Sequence, residues 1–324
     1  MFEIEVEQWP LAAPFRISGY VFETIEVLVV HLQKEGCVGR GEAAGVYYKG
    51  DTVPRMVEQL NAVRTAVEAG ITRDDLLAML GPGGARNALD CALWDLEAQL
   101  SGRRAWQLAE VGEPRPLLTT FTCGADTPQA MAATARGYAS ARAIKLKLTG
   151  EPVDAQRVRE VRQARPDVWL GVDANQGFSP GSLQRLMPVL VDARVALIEQ
   201  PFSIGQEALL DGFASPIPLA ADESVQCLAD VRGLVGRFDV VNIKLDKCGG
   251  LTEGLLMARA AAELGMRAMV GNMLGTSLSI APAFLLGQLC DIVDLDGPIF
   301  LRKDRATPVT YTDGMAACPQ ILWG

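Results

Sequence analysis

Apolar and charged residues alternate strictly through Phe2, Glu3, Ile4, Glu5, Val6 and Glu7, the period of a half-buried strand. Residues 22–32 are rich in β-branched side chains, 33–36 carry turn chemistry and 37–42 return, so the chain is expected to open with antiparallel strands. The intervening 10–19, with two prolines and a glycine, is expected to be a loop. Helical spacing begins near Val53 and continues towards Ala69, and a second helix is expected over 73–80. Gly81-Pro82-Gly83-Gly84 breaks the pattern. Residues 85–100 then place Leu89, Leu93, Leu96 and Leu100 on one stripe, and Ser101-Gly102 ends the helix. This α+β part is assigned residues 1–112.

From about Leu117 the period switches back and forth. Short apolar runs stand at 117–123, 143–148, 168–174, 195–200, 217–222, 239–245, 266–271 and 291–295. Between them lie helical or mixed segments such as 128–140, 153–163, 183–191 and 252–264. Strands alternating with helices predict a parallel sheet, and eight strands is the number that closes a (β/α)8 barrel, here assigned 113–297. The fold class expected is therefore α/β. The tail, 298–324, contains Pro308, Asp313-Gly314 and Pro319 and fits no further βα unit. It is expected to return to the N-terminal part and complete a capping domain.

Composition acts mainly by exclusion. The 324 residues are 49% hydrophobic and 21% charged, as in ordinary soluble globular proteins. A net charge of −9 with no basic tract argues against nucleic acid as partner. No apolar run approaches a membrane span, and Met1 to Glu5 lacks the basic-then-apolar pattern of a leader. Seven widely spaced cysteines, without a Cys-x-x-Cys, suggest reduced thiols and a cytoplasmic setting. The single histidine, His31, sits in an apolar strand-like run, so Ser-His-Asp, Cys-His and poly-His zinc chemistry are set aside. Acid–base work falls to other side chains.

The charged residues inside the apolar runs supply candidates. In 142–148, Ile144, Leu146 and Leu148 face one way, and Lys145 and Lys147 the other. Alone, such a pair reads as a solvated edge strand. The downstream register changes that reading. Lys147, Asp173, Glu199, Asp222 and Lys244 stand at or near the ends of the second to sixth barrel strands, separated by 26, 26, 23 and 22 residues, about one βα unit each. Each strand would deliver one charge to the same rim, where active sites on barrels lie. A lone Asp or Glu after a strand is commonly a turn former or helix cap; five charges in successive units are not explained that way. Three carboxylates without histidine suit a hard cation, best Mg²⁺, one per subunit. Strands two and six lie across a closed barrel, so Lys147 and Lys244 would flank a substrate carboxylate, an arrangement suited to abstracting the α-proton on one face and returning it on the other. For Lys147 to act as a base near neutral pH its pKa must be depressed, and Lys145, a like charge beside it, and the cation would do this.

Lys145-x-Lys147, Asp173-Ala174-Asn175, Glu199-Gln200-Pro201, Asp222-Glu223-Ser224 and Lys244 together resemble the muconate-lactonising subgroup of the enolase superfamily, over nearly the whole chain. The resemblance implies a capping domain on a barrel, Mg²⁺ held by Asp173, Glu199 and Asp222, and Lys147 and Lys244 as acid/base pair with Lys145 beside the bound carboxylate. Asn175 and Glu223 would support the metal ligands. Asp294 and Asp296, two apart at the end of the eighth strand, resemble the Asp-x-Asp with which dipeptide epimerases hold a substrate ammonium; the plainer reading of Asp296-Gly297 is a turn. Residues 241–253 and 271–277, including Met273, are similar to L-Ala-D/L-Glu epimerases of bacterial murein-peptide recycling. Those enzymes can carry an arginine in the capping loop that meets the glutamate side chain. Here Phe22 stands near that place; Arg16 in the same loop, or Arg302 and Lys303 after the eighth strand, are candidates to replace it, the alternative being a different side-chain preference.

The partner implied is a small dipeptide, with self-association left open. The competing readings are an o-succinylbenzoate synthase, N-acylamino acid racemase or cycloisomerase of the same superfamily, a metal-free Schiff-base lyase, and a non-catalytic barrel binding protein.

Overall fold

The structure, a computed structural model, describes residues 1–17 and 19–324. The chain opens with an antiparallel sheet of β1 (Phe2–Ile17), β2 (Tyr20–Lys34) and β3 (Cys37–Ala43), in that order. Residues 10–17, expected to be a loop, continue β1. Ser18, which that reading included, lies outside the described residues. The prolines are tolerated because β1 is the sheet edge and its register breaks between Pro10 and Phe15, so a missing N–H costs no interior ladder bond.

One face of β2 buries Leu28, Val30 and Leu32 against the cap's helices; the other presents Ile25, Val27 and Val29 to the barrel. Those helices are α1 (Val53–Ala62), α2 (Arg64–Ala69), α3 (Arg73–Met79) and α4 (Gly84–Ser101), so the single period expected over 53–69 divides at Val63. Helix α4 lies directly on β3. A Cβ at Gly41 would stand 2.1 Å from the Ala88 carbonyl oxygen, and one at Gly39 would stand 2.2 Å from that of Ala92. A short α5 (Ala105–Leu108) leads out of the cap.

The first expected barrel run, 117–123, is two strands. β4 (Leu117–Leu118) joins a small C-terminal sheet, and β5 (Thr120–Cys123) begins the barrel. Then follow α6 (Pro128–Gly137), β6 (Ala143–Lys147), α7 (Asp154–Ala164), β7 (Trp169–Asp173), α8 (Pro180–Asp192), β8 (Leu197–Glu199), β9 (Leu219–Ala221), α9 (Leu228–Val231), β10 (Val240–Lys244), α10 (Leu245–Cys248), α11 (Leu251–Glu263), β11 (Arg267–Gly271), α12 (Ser277–Gly287) and β12 (Ile292–Asp294). A 3₁₀ turn over Glu207–Leu210 takes the place of a helix between β8 and β9.

Strands β5 to β12 form one eight-stranded sheet in chain order, a nearly closed parallel barrel. The seam between β12 and β5 is closed by side chains. Thr120 donates to Asp294, the Thr122 amide donates to Asp296 Oδ2 at 2.7 Å, and the Leu295 amide donates to Thr119 Oγ1 at 2.9 Å. Leu197, Ala220, Val240 and Met269 plug the lower interior. Leu301 in the tail bridges Leu11 of the cap, and the Trp323 indole donates to the Arg40 carbonyl at 3.0 Å. On the way, a hairpin of β13 (Thr310–Thr312) and β14 (Met315–Ala317) pairs with β4. Among the described residues no helix is long and apolar enough to cross a membrane.

Candidate active site

Period-two alternation decides which side chains enter the barrel. Ile144 and Leu146, Leu170 and Val172, and Val241 and Ile243 join the core between strands and helices. Their neighbours Lys145, Lys147, Asp173, Asn242 and Lys244 turn inward and are buried. Register then brings charges side by side, with Lys147 opposite Asp173 across β6 and β7, and Asp173 opposite Glu199 across β7 and β8. Asp222 directly follows β9.

The result is a compact set of opposite charges. Lys147 Nζ lies 2.5 Å from Asp173 Oδ2, and Lys244 Nζ lies 2.6 Å from Asp222 Oδ2. Lys145 Nζ lies 3.2 Å from Glu199 Oε2 and donates to Asp294 as well. One carboxylate oxygen from each of Asp173, Glu199 and Asp222 comes within 4.8 Å of the others. These are three buried hard-oxygen donors on adjacent strands, and they fit a divalent cation. Burial, with the charge of Asp173 beside it, pushes Glu199 up to about 8. Burial would raise Asp222 too, but Lys244 and Lys247 outweigh it and hold the carboxyl far below the usual range. For Lys244, burial would lower the pKa; Asp222 and Glu199 reverse this and raise it well above the ordinary lysine value.

Asn175 and Glu223 flank the cluster. The Asn175 amide donates to Asp173 Oδ1 at 2.8 Å, and its side-chain nitrogen lies 3.4 Å from Glu223 Oε1. Burial and Asp222 together raise Glu223 to about 7.

Above the charges opens a cavity of about 240 Å³. Lys145, Lys147, Lys244, Asp222, Glu223, Asn175, Asp294 and Asp296 reach it from the barrel, with Met273 from the loop after β11. The cap supplies Phe22, Phe15, Ile17, Tyr47 and Tyr48. The expected Phe22 and Met273 are thus on the wall. Arg16 is not: Phe15 and Ile17 face the cavity, and alternation along β1 turns Arg16 to an adjoining groove. Arg302 and Lys303 are exposed and likewise absent from the lining.

Lys145 is expected to stand as a like charge beside Lys147, but its ammonium lies among Asp294, Glu199 and Asp173. Burial would lower its pKa, and those three carboxylates raise it well above the ordinary value. Asp294 and Asp296 are not an equal pair. Asp294 is engaged by Lys145 and Thr120, whereas Asp296 takes a backbone amide and is raised to about 7 by burial and by Asp294.

Sequence reasoning gave no role to Lys247, Asn242, Gln200 or the two tyrosines. Lys247 Nζ lies 2.5 Å from Asp222 Oδ1, and Asn242 donates to Glu199 Oε1 at 2.7 Å. Gln200 Oε1 accepts from the Asp222 and Ser224 amides at 2.9 and 3.0 Å. Asn242 was readable, because it shares the inward face of β10 with Lys244. Lys247 lies beyond the strand, on α10, where the period-two signal ends.

Family models match both parts of the chain: "Mandelate racemase / muconate lactonizing enzyme, N-terminal domain" over residues 2–109 and "Enolase C-terminal domain-like" over 129–321. The chain belongs to the enolase superfamily. Among its relatives within that family is the L-Ala-D/L-Glu epimerase of Escherichia coli, 38% identical over 95% of this chain and 96% of that protein. Among solved structures, an enolase family member from Agrobacterium tumefaciens with homology to dipeptide epimerases, holding sodium and L-Ala-L-Glu, superposes with a TM-score of 0.97. It is 37% identical, with 100% of this chain and 99% of that one covered. The dipeptide epimerase of Enterococcus faecalis, complexed with Mg and L-Leu-L-Tyr, gives 0.89 at 27% identity, covering 98% and 96% of the two chains.

Proposed function

We propose that this superfamily member is a Mg²⁺-dependent dipeptide epimerase, an isomerase inverting the α-carbon of the C-terminal residue of L-Ala-X dipeptides, with L-Ala-D/L-Glu the favoured pair. The observation that carries the reading is the placement of Lys147 and Lys244 on strands β6 and β10, four apart in an eight-stranded barrel, with three carboxylates on the strands between them.

Asp173, Glu199 and Asp222 would hold the cation, which supplies positive charge to the substrate carboxylate as negative charge builds there. Lys145 steadies that carboxylate from the side. Lys147 Nζ takes or returns the α-proton on one face and Lys244 Nζ on the other, so each must exchange roles with the direction of turnover. Asp296, which lines the cavity, binds the substrate ammonium, with Asp294 beside it. Phe15, Phe22, Tyr47 and Tyr48 cover the site and enclose the bound dipeptide. Seven free cysteines support a reducing, cytoplasmic setting, where recycling of murein peptides would supply such dipeptides.

The alternative chemistries on this scaffold, dehydration or cycloisomerisation of a carboxylate without an amine, offer Asp294 and Asp296 no ammonium to bind. Replacing both by Asn and assaying each substrate type separates the two. The proposal expects dipeptide turnover to collapse; unchanged dipeptide turnover would remove the assignment.

A further inference from the structure

The short helix α10, which follows Lys244 without a break, sends its side chains to two domains. Lys247 goes to Asp222, as above. Asp246 turns the other way, into the cap, where its Oδ1 accepts from the amides of Ala44 and Gly45 at 3.0 and 2.9 Å. It is buried and takes no part in the proton transfers described.

The segment it grips lies between β3 and the 3₁₀ turn Tyr47–Lys49, and Ala44, Gly45, Tyr47 and Tyr48 all line the cavity. That segment has little choice of path. Gly45 adopts φ +75°, and a Cβ there would stand 2.1 Å from the Asp51 carbonyl oxygen. Asp51 in turn accepts from the Gly84 amide at 2.8 Å, at the start of α4. The Tyr48 hydroxyl accepts from Gln226 of the barrel at 3.1 Å, and Tyr47 packs its ring against Tyr20 and Phe22 at 4.6 and 5.4 Å. From the far side, Arg86 of α4 donates to the Cys248 and Gly249 carbonyl oxygens at the end of α10 at 2.5 and 3.2 Å. The cap therefore holds both ends of the helix that carries Asp246, and Asp246 holds the cap's aromatic wall.

We propose that Asp246 is a positioning residue: by accepting from the Ala44 and Gly45 amides it fixes the tyrosine wall of the cap in register with Lys244, two residues away. The functional half of this rests on the dipeptide reading above; the structural half does not. Without the acceptor, two buried amides lose their partner, and the 44–48 segment opens more often. The proton-transferring lysines and the carboxylate cluster stay on barrel strands and keep their places. The loss therefore falls on substrate capture rather than on chemistry.

The experiment uses the full chain with Mg²⁺ and three proteins: wild type, Asp246→Ala and Asp246→Asn. Asn keeps a carbonyl oxygen where Oδ1 stands and removes the charge, so it should restore what Ala loses. Amide hydrogen exchange of the peptide covering 44–48, followed by mass spectrometry without substrate, should speed up at least about tenfold in Asp246→Ala and remain near wild type in Asp246→Asn. In Asp246→Ala, KM should rise about tenfold, with kcat within about threefold and Mg²⁺ affinity unchanged. Wild-type exchange in Asp246→Ala, or exchange in Asp246→Asn as fast as in the alanine variant, overturns the proposal. Should Asp246→Ala fail to fold, Asp246→Asn decides alone: retained protection supports the acceptor role and lost protection refutes it. If no dipeptide is turned over by wild type, the exchange data still test the clamp, and only the epimerase reading fails.

Discussion

Each of the inward lysines has a carboxylate for a neighbour, but only two of them occupy opposite strands. Lys147 meets Asp173 and Lys244 meets Asp222, whereas Lys145 is tied to Asp294 and Glu199. That difference predicts different phenotypes. Lys147→Ala and Lys244→Ala should each lower epimerisation by about a thousandfold or more, the scale of a lost general acid–base group. Each variant should still exchange the α-proton of one stereoisomer, the one whose proton faces the remaining lysine. Following both diastereomers separately in D₂O checks this, and wild-type epimerisation by either variant would defeat the two-base scheme. The two aspartates at the end of β12 should differ as well. Asp296→Asn should raise KM for dipeptides with a modest change in kcat, because it removes an ammonium partner. Asp294→Asn should lower kcat too, since it also releases Lys145. Steady-state kinetics on one dipeptide distinguishes them, and identical profiles would contradict the inequality of the pair.

At the level of elements, β3 and α4 form a close joint in the cap. Because a Cβ on Gly41 would lie 2.1 Å from the Ala88 carbonyl oxygen, Gly41→Ala must push the helix off the strand. Overpacking of this kind costs about 1–3 kcal/mol, so the midpoint of thermal unfolding should fall by several degrees. An unchanged midpoint would mean the joint is looser than it stands. This joint was not visible in the sequence, because a glycine in a strand pattern says nothing about what approaches it. The barrel was legible for the opposite reason. Lys147, Asp173, Glu199 and Lys244 each end a strand whose alternate residues are apolar, so periodicity alone set their direction. Where that signal stopped, reading stopped. The β1 extension was hidden by prolines that an edge strand tolerates, the division of 117–123 into two sheets depended on a hairpin nearly 200 residues later, and Lys247 sat on a helix with no register to follow. Arg16 was drawn to the site by charge and proximity in sequence, and the alternation of β1 turned it away.

Across the whole molecule, cap and barrel are joined by buried polar groups whose protonation links pH to stability. Asp90 of α4 accepts from the amide and hydroxyl of Thr252 at the start of α11, at 3.0 and 2.5 Å. Burial outweighs those hydrogen bonds and raises Asp90 to about 6. The folded chain therefore holds a proton that the unfolded chain has already released. The stabilisation is complete below the ordinary carboxylate value, near pH 4, and is lost as pH rises through about 6. The distance from the ordinary carboxylate value to about 6 corresponds to about 3 kcal/mol. Asp90→Asn, which never ionises, should gain on wild type by up to that amount between pH 4 and 8. Urea unfolding at the two pH values tests it, and a difference independent of pH would contradict the assigned shift.

The chemistry proposed is the transfer of one proton at the α-carbon of a dipeptide by two lysines on opposite barrel strands. Its most direct test is proton NMR of L-Ala-L-Glu, with a panel of other L-Ala-L-X dipeptides, incubated with wild-type protein and Mg²⁺ in D₂O. The α-proton signal of the C-terminal residue should disappear as the L-Ala-D-X diastereomer forms, while the alanine α-proton stays. No exchange at that carbon in any member of the panel would contradict it.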